Sequence, residues 1–223
     1  MDSGIKKSGK GFKYPSPLVF GLVRVVCIAI SKIFWFLRFR GVENIPQGEG
    51  GLLLVSNHPT YIDPVWISLA VKKNIRYMAW DEAFQWPVVG GIIRYLGAFP
   101  VKTHAGVTKT AIVESLRTLR GNGALVIFPE GEREFSDGKM LEFKSGAVHI
   151  AVNAGVPILP VSIRGGNRIW PQGQKFPSLF HRVEIIYHPP MHLPERPDDM
   201  ELDDYLDRLN RELIEIIESG AKM

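Results

Sequence analysis

The sequence predicts an α/β fold, in which helices flank a largely parallel central sheet, preceded by an N-terminal amphipathic membrane-surface helix. The chain has 223 residues, 45% of them hydrophobic and 22% charged, which is ordinary for a globular protein with its own core. After Gly41, short apolar runs alternate with helical patterns, as in parallel strands joined by helical crossovers. A long apolar segment, residues 18–37, precedes them.

Charge is unevenly distributed along the chain, whose formal net charge is +4. Residues 1–40 carry eight basic side chains and one acidic one, residues 41–190 carry 15 and 12, and residues 191–223 carry 4 and 10. A basic N-terminal arm suits nucleic acid or an anionic membrane. Because no basic patch is interleaved with stacking aromatics, we expect no nucleic acid and favour the membrane. We divide the chain into this arm, residues 1–40, and a domain of residues 41–223.

The apolar segment of the arm is long enough to cross a bilayer, which takes about 20 residues. Its two cations, Arg24 and Lys32, offset the favourable transfer of its apolar side chains, so that spanning is close to neutral. On a helix these cations share one stripe with Ser31 and Arg38, opposite a broad apolar face. We therefore predict a membrane-anchoring interfacial helix whose cations face anionic headgroups. A helix packed on the protein's own core and an uncleaved signal sequence are the alternatives.

The cysteine content bears on the compartment. Cys27 is the single cysteine, and one thiol cannot build a disulfide framework or a Cys-based zinc site. This favours a reducing environment. We therefore predict a peripheral or monotopic membrane protein with its main domain on the cytoplasmic side.

Six strands are predicted from short apolar runs bounded by turn residues. They cover residues 52–56, 76–80, 99–101, 124–128, 158–163 and 183–187. Three helices fill gaps between them, at residues 64–72, 107–120 and 145–153, the last two ending near Gly121 and Gly155. Leucines and isoleucines at helical spacing after residue 201 predict a C-terminal helix whose acidic side chains form its solvated face.

Polar side chains follow the first of these strands. Asn57 and His58 end it, and Asp63 lies five residues after the histidine. Ligands bind beyond the C-terminal ends of strands in open parallel sheets. Pro59 and Pro64 favour a turn, which lets Asp63 meet the imidazole, fix its tautomer and leave the other ring nitrogen to take a proton. Asp63 also suits a structural N-cap in front of Pro64, and the two roles are compatible.

A second polar group follows the strand predicted at residues 124–128. The segment Pro129-Glu130-Gly131-Glu132-Arg133 places charged side chains at the same sheet edge as His58. The glycine allows a close backbone approach, and the planar guanidinium of Arg133 suits phosphate. Taken alone this is a common charged turn, but the two motifs together predict a base beside an anion-binding group.

Three blocks of the sequence resemble, in order and spacing, signature blocks of the glycerolipid acyltransferase family, which includes the 1-acylglycerol-3-phosphate acyltransferases. They are Asn57-His58 with Asp63, Phe128-Pro129-Glu130-Gly131 with Arg133, and the apolar stretch at residues 156–161. The similarity covers about residues 41–190 and implies that residues 41–223 form an acyltransferase domain. It implies transfer of a fatty acyl group from an acyl-CoA or acyl-carrier-protein thioester to the free hydroxyl of 1-acylglycerol-3-phosphate (lysophosphatidic acid). The product is phosphatidic acid, in phospholipid biosynthesis.

The resemblance also implies roles for the site residues. His58 would deprotonate the acceptor hydroxyl and Asp63 would orient His58, so that the oxygen attacks the thioester without an acyl-enzyme. Glu130, Gly131 and Arg133 match the acceptor-binding block, with Arg133 the best candidate for the phosphate. We expect no cofactor beyond the thioester co-substrate. The expected partners are membrane lipids at an anionic surface and acyl-CoA or acyl carrier protein.

Some positions depart from the family pattern. The family has a further block between the first two, which usually ends in Arg after a strand, as in G-x-x-P-V-D-R. Residues 97–103 stand there in this chain, and Lys102 comes one residue before the position of that Arg. Lys102 would therefore replace this phosphate ligand only if the chain bends. Trp80 stands at a position where many relatives have a lysine, and Glu132 stands where Thr is common. These departures leave open another lyso-lipid acceptor, and a non-catalytic lipid-binding protein of the same fold is the further alternative. No metal is expected, because His104 has no recognisable ligand spacing to His58 and Asp63.

Overall fold

A seven-stranded sheet forms the centre of the molecule. The computed structural model describes residue 14 and residues 16–101, 108–133, 139–171 and 174–222. The strands are β1 (Arg38–Arg40), β2 (Leu52–Ser56), β3 (Ile75–Trp80), β4 (Ala98–Val101), β5 (Ala124–Ile127), β6 (Ile158–Arg164) and β7 (Glu184–Tyr187). Their order across the sheet is β1-β7-β6-β2-β5-β3-β4. The pair β6 and β7 is antiparallel and the other pairs are parallel, which confirms the predicted fold class.

In the described part of the chain, six α-helices surround this sheet. They are α1 (Pro17–Trp35), α2 (Asp63–Ser68), α3 (Val89–Tyr95), α4 (Lys109–Arg120), α5 (Gly146–Ala154) and α6 (Leu202–Lys222). Short 3-10 turns occur at Val42–Asn44, Asp81–Gln85 and Gly166–Arg168.

Two hydrophobic cores lie on opposite faces of the sheet. Leu53 and Val55 of β2 pack into the core that also holds α4, α5 and α6. Leu52 and Leu54 point into the other core, with Trp66 of α2 and the end of α1. Because β2 is central and buried on both faces, its sequence is a continuous apolar run rather than an alternating one.

The six predicted strands are confirmed, with ends within one residue of those observed. Helix α2 ends at Ser68 instead of residue 72, and the Ser68 hydroxyl donates back to the carbonyls of Pro64 and Val65 at 2.8 and 2.7 Å. Helix α3 was not predicted, because its Gly90-Gly91 pair has poor helix propensity. A β-carbon at Gly90 would lie 2.3 Å from the Phe84 carbonyl oxygen, so close packing requires glycine there.

Helix α1 packs its C-terminal half on the second core and leaves an apolar surface exposed. The Trp35 and Trp66 rings meet edge to face at 5.6 Å, and Trp66 Nε1 donates to Ser31 Oγ at 3.0 Å. Placing Ser31 in a stripe that faces headgroups was therefore wrong, because this side chain is buried against α2. The opposite side exposes Leu18 and Leu22, the former at 86%.

The composition and exposure of α1 indicate membrane association. Among the described helices, α1 is the one long and apolar enough to cross a membrane, and 11% of its most apolar stretch is buried within the protein. The last three residues of the predicted arm, however, form β1 and pair with β7. The arm is thus continuous with the sheet through its final residues.

Candidate active site

The polar residues predicted after β2 meet at the carboxyl edge of the sheet. His58 Nδ1 lies 2.8 Å from Asp63 Oδ2, and the same oxygen accepts the Thr60 backbone N–H at 2.7 Å. The chain turns between them, as the two prolines indicated, so that the first residue of α2 faces back toward the strand end. The Asp63 carboxylate is fully buried, whereas the His58 side chain keeps 17% of its surface exposed. The pair can therefore orient the imidazole from inside the protein.

Asn57 fixes the end of β2 to its neighbour β6. Its Nδ2 donates to the Ile163 carbonyl at 2.9 Å, and its Oδ1 accepts the Ile163 N–H at 2.8 Å. The His58 ring stacks on Phe128 at the end of β5, with ring centroids 3.9 Å apart. The position of the imidazole is thus set by strands on both sides of β2.

Glu130 holds the His58 backbone. Its Oε1 accepts the His58 N–H at 2.6 Å, and its Oε2 accepts the Leu141 N–H at 2.8 Å. The side chain is buried. This positioning role could not be recognised in the sequence, where the two donors lie far from Glu130. Acceptor binding by Glu130 stays a prediction, and the residue does line the cleft beside His58.

Gly131 has φ +76°, in the left-handed region that favours glycine. A β-carbon there would lie 2.8 Å from Lys144 Nζ. Gly131 therefore admits a cation that comes from the segment before α5, and the sequence motifs gave no signal for Lys144. The contribution of Gly131 itself to acceptor binding stays a prediction.

Arg133 lies beside the same centre. Its guanidinium carbon is 3.1 Å from the centroid of the Tyr61 ring, and the side chain is nearly buried. Its charge acts on both His58 and Asp63. The structure therefore brings His58, Asp63, Glu130 and Arg133 together. Lys102, the other predicted binding cation, and His104 fall outside the described residues.

Burial dominates the electrostatics of the pair. It lowers the pKa of His58 to about 3, an effect that Glu130 opposes and Arg133 reinforces. Burial also raises the pKa of Asp63, although the hydrogen bond from the Thr60 N–H and the charge of Arg133 both lower it. The imidazole is therefore neutral at pH 7. When Nδ1–H donates to the Asp63 carboxylate, the other ring nitrogen, Nε2, can take a proton, and a more basic carboxylate stabilises the resulting imidazolium better.

A basic cleft of about 560 Å³ opens beside His58. It is lined by four cations that no motif marks: Arg164, Arg168, Arg182 and Lys222. Arg164 pairs with Glu184, and Lys222 with Glu218. Within the described part of the chain, Arg168 and Arg182 are exposed and form no ion pair. The cleft is therefore suited to an anionic ligand.

Two glycines after β6 create this cleft. A β-carbon at Gly165, where φ is +80°, would lie 2.3 Å from the Arg182 carbonyl oxygen. At Gly166 it would lie 2.6 Å from Pro59 Cγ, directly after His58. The turn can approach both segments because it lacks side chains, and it leads to Arg168, which lines the cleft together with His58.

Comparisons with known proteins agree with this geometry. The family model "Acyltransferase" matches residues 36–164. The chloroplastic 1-acyl-sn-glycerol-3-phosphate acyltransferase LPAT1 of Arabidopsis thaliana is 29% identical over 160 residues, which is 71% of this chain and 44% of that protein. The 1-acyl-sn-glycerol-3-phosphate acyltransferase of Streptococcus pneumoniae is 32% identical over 143 residues, 63% of this chain and 52% of that protein. The chain thus spans about half the length of these relatives.

A solved structure is also similar. The crystal structure of the 1-acyl-sn-glycerophosphate (LPA) acyltransferase PlsC from Thermotoga maritima superposes with a TM-score of 0.69 at 27% identity, covering 92% of this chain and 79% of that one. The matched family region contains β2, β5 and β6, with His58, Asp63, Glu130 and Arg133 between them. The chain belongs to the acyltransferase family.

Proposed function

We propose that this protein transfers a fatty acyl group from a thioester to the free hydroxyl of 1-acylglycerol-3-phosphate, giving phosphatidic acid at a membrane surface. The observation that carries the proposal is the 2.8 Å contact between His58 Nδ1 and the buried Asp63 carboxylate, beside a cleft lined by cations. The relatives and the structural neighbour that carry this activity in their names support the choice of acceptor.

The proposed chemistry needs one base. The acceptor hydroxyl gives its proton to His58 Nε2 while its oxygen forms a bond to the thioester carbonyl carbon. The bond between that carbon and sulfur then breaks, and the imidazolium returns the proton to the leaving thiolate. Asp63 holds the ring and stabilises the imidazolium between the two steps. No nucleophilic side chain is required, since the oxygen attacks the donor directly.

The donor is proposed to be acyl-CoA or acyl-carrier-protein, and both carry phosphate on the pantetheine arm. Arg168 and Arg182 line the cleft beside His58 and offer guanidinium groups suited to phosphate oxygens. The acyltransferase domain is proposed to lie on the cytoplasmic side of the membrane, where these donors are made. Anionic lipids are proposed to attract the cations near α1.

An acceptor panel tests the proposal. Purified full-length protein receives one acyl-CoA and, separately, lysophosphatidic acid, lysophosphatidylglycerol or lysophosphatidylcholine. We expect lysophosphatidic acid to give the highest kcat/KM, and Arg133→Gln to lower it most for this acceptor. Turnover of another lyso-lipid alone would contradict the proposed acceptor. Failure of every acceptor, with the acyl-CoA unchanged, would contradict enzymatic activity.

The donor has its own test. Acyl-CoA is compared with acyl-pantetheine, which lacks the phosphates, in the parent protein and in Arg168→Gln. We expect the variant to raise the KM for acyl-CoA about tenfold, since a charge-assisted hydrogen bond contributes about 1.5–3 kcal/mol. Its KM for acyl-pantetheine should not change. Equal effects on the two donors would show that Arg168 does not bind the donor phosphate.

A further inference from the structure

A second apolar element lies beside α1, in the loop formed by residues 175–182. This 175–182 loop reads Lys-Phe-Pro-Ser-Leu-Phe-His-Arg, with three large apolar side chains between two cations. Phe176 is 79% exposed and Phe180 is 64% exposed, and Leu179 is exposed beside them. Large apolar side chains grouped in this way are rare on surfaces that face water only.

The backbone holds part of this loop in a conformation that displays its side chains. Phe180 has φ +62°, a region that large residues other than glycine rarely adopt. Phe36, just after α1, has φ +46° and is also exposed. Their rings lie 6.4 Å apart. A strained backbone that presents an exposed phenylalanine indicates a role for that side chain outside the folded core.

The loop is fastened to the end of α1. The Phe180 N–H donates to the Phe34 carbonyl at 2.6 Å, and the Val183 N–H donates to the Trp35 carbonyl at 3.1 Å. Trp35 Nε1 donates in turn to the Ser178 carbonyl at 2.8 Å. These bonds join the loop to the end of α1 in one continuous surface, so any medium that covers the apolar side of α1 there also meets the loop.

Cations border this surface. Lys175 and Arg182 are the first and last residues of the loop, and both are exposed. Lys32, Arg38 and Arg40 line an open cleft together with Phe36. Among the described residues that line it, the acidic one is Glu184, which is paired with Arg164. Apolar tips surrounded by cations match the layering of an anionic bilayer, with acyl chains below and phosphate headgroups above.

We infer that the 175–182 loop is a second membrane-insertion element, which enters the acyl boundary of an anionic bilayer together with α1. The occupant of this surface is lipid. Because Arg182 closes the loop and also lines the cleft beside His58, insertion places that cleft at the headgroup level. The inference extends the proposed function by stating how the enzyme would sit on its lipid substrate, and its test uses no turnover.

A fluorescent label tests the insertion directly. Cys27 is the single cysteine, so Cys27→Ser allows a polarity-sensitive dye to be attached at Phe176→Cys in the full-length protein. The matched control is Val113→Cys, which is 51% exposed on α4, on the other side of the sheet. Vesicles of phosphatidylglycerol and phosphatidylcholine carry a quencher in the upper acyl region. We expect quenching at position 176 and none at 113, whereas equal quenching at the two positions would overturn the inference.

Partitioning gives an independent measurement. The double variant Phe176→Ser with Phe180→Asn removes two apolar side chains, and asparagine tolerates the left-handed backbone better than phenylalanine. We expect its vesicle partition coefficient to fall at least about tenfold, and that of Val113→Ser to stay within about twofold. An unchanged coefficient for the double variant would contradict insertion. If the dye at position 176 becomes buried without lipid as protein concentration rises, a second copy covers the loop and the inference is wrong.

Discussion

Two regions depart from the usual distribution of side chains, in which charged groups are exposed and large apolar groups are buried. They are the carboxyl edge of the sheet at the candidate active site, called the catalytic edge below, and the surface around α1. At the edge, the carboxylates of Asp63 and Glu130 are buried. Around α1, Leu18 and Phe176 are almost fully exposed. A buried charge is costly unless it is hydrogen-bonded, and a large exposed apolar patch favours association. Both arrangements oppose stability in water, so each marks a function.

The two regions differ in the interactions that offset these unfavourable free energies. The buried carboxylates are stabilised by groups of the protein itself, namely the N–H groups of Thr60, His58 and Leu141. The apolar surface has no such partners among the described residues and depends on an outside medium. Substitutions at the edge should therefore change turnover without changing membrane binding, and substitutions on α1 should do the reverse.

The largest effect is expected from Asp63→Asn. The amide keeps the size of the side chain but cannot carry the charge that stabilises the imidazolium, and its NH₂ group disfavours the Nδ1–H tautomer. We expect kcat to fall by about 10²–10⁴-fold, the range of general acid–base catalysis. Vesicle binding, measured by cosedimentation, should be unchanged. A kcat within about tenfold of the parent would show that Asp63 is mainly structural.

A substitution in the other region should give the reverse result. Leu22→Ser with Val25→Ser changes two side chains on the exposed side of α1. Because each apolar side chain contributes up to about 1.5–3 kcal/mol when fully buried, we expect the vesicle partition coefficient to fall roughly 10- to 100-fold. Turnover of substrates dispersed in detergent should stay the same. If turnover falls as much as binding, α1 also supports the catalytic edge.

Glu130→Gln tests whether the Glu130 carboxylate holds the His58 and Leu141 backbone segments together. The two Glu130 oxygens each accept one N–H, from His58 and from Leu141, and glutamine puts an NH₂ group in place of one of them. One of the two buried donors then faces another donor and loses its partner. This should lower the free energy of unfolding by about 1–3 kcal/mol. The melting temperature would then fall by roughly 2–4 °C for each kcal/mol. An unchanged melting temperature, measured calorimetrically with vesicles absent, would show that the carboxylate does not hold this edge together.

The smallest effect is expected in the pH profile. Because burial lowers the pKa of His58 to about 3, the imidazole stays unprotonated when pH falls below the usual histidine value of 6.5. We expect kcat at saturating acceptor to change by no more than about twofold between about pH 7.5 and 5.5, with the acid limb at lower pH. The measurement uses kcat because kcat/KM would also report the phosphate of free lysophosphatidic acid, whose second pKa is about 6. An acid limb near pH 6.5 in the parent protein would mean that His58 is solvated like an exposed histidine.

The sequence could predict the pair at the centre of the site because its geometry is local. His58 and Asp63 are separated by one short turn with prolines at both ends, and β2 is unmistakably a buried strand. The six strands from β2 to β7 were predictable for the same reason, whereas β1 was not predicted. Their apolar runs are short, continuous and bounded by turn residues.

The partners of that pair could not be predicted, because they depend on the strand order. Asn57 bonds to Ile163 because β6 is the neighbour of β2. Glu130 reaches the His58 N–H because β5 lies on its other side. Arg168 and Arg182 belong to no motif, and only the close approach of Gly165 and Gly166 brings them to the cleft. Likewise, helical periodicity placed Ser31 beside the cations but did not show which side of α1 meets Trp66.

The most direct measurement is the turnover of His58→Gln together with its vesicle binding. Glutamine keeps the backbone N–H that donates to Glu130 and offers an amide donor toward Asp63, but it cannot take a proton at pH 7. We expect kcat to fall at least about 10²-fold, while the vesicle partition coefficient stays within about twofold of the parent. A kcat within about tenfold of the parent, in protein that still binds vesicles, would contradict the assignment of His58 as the base.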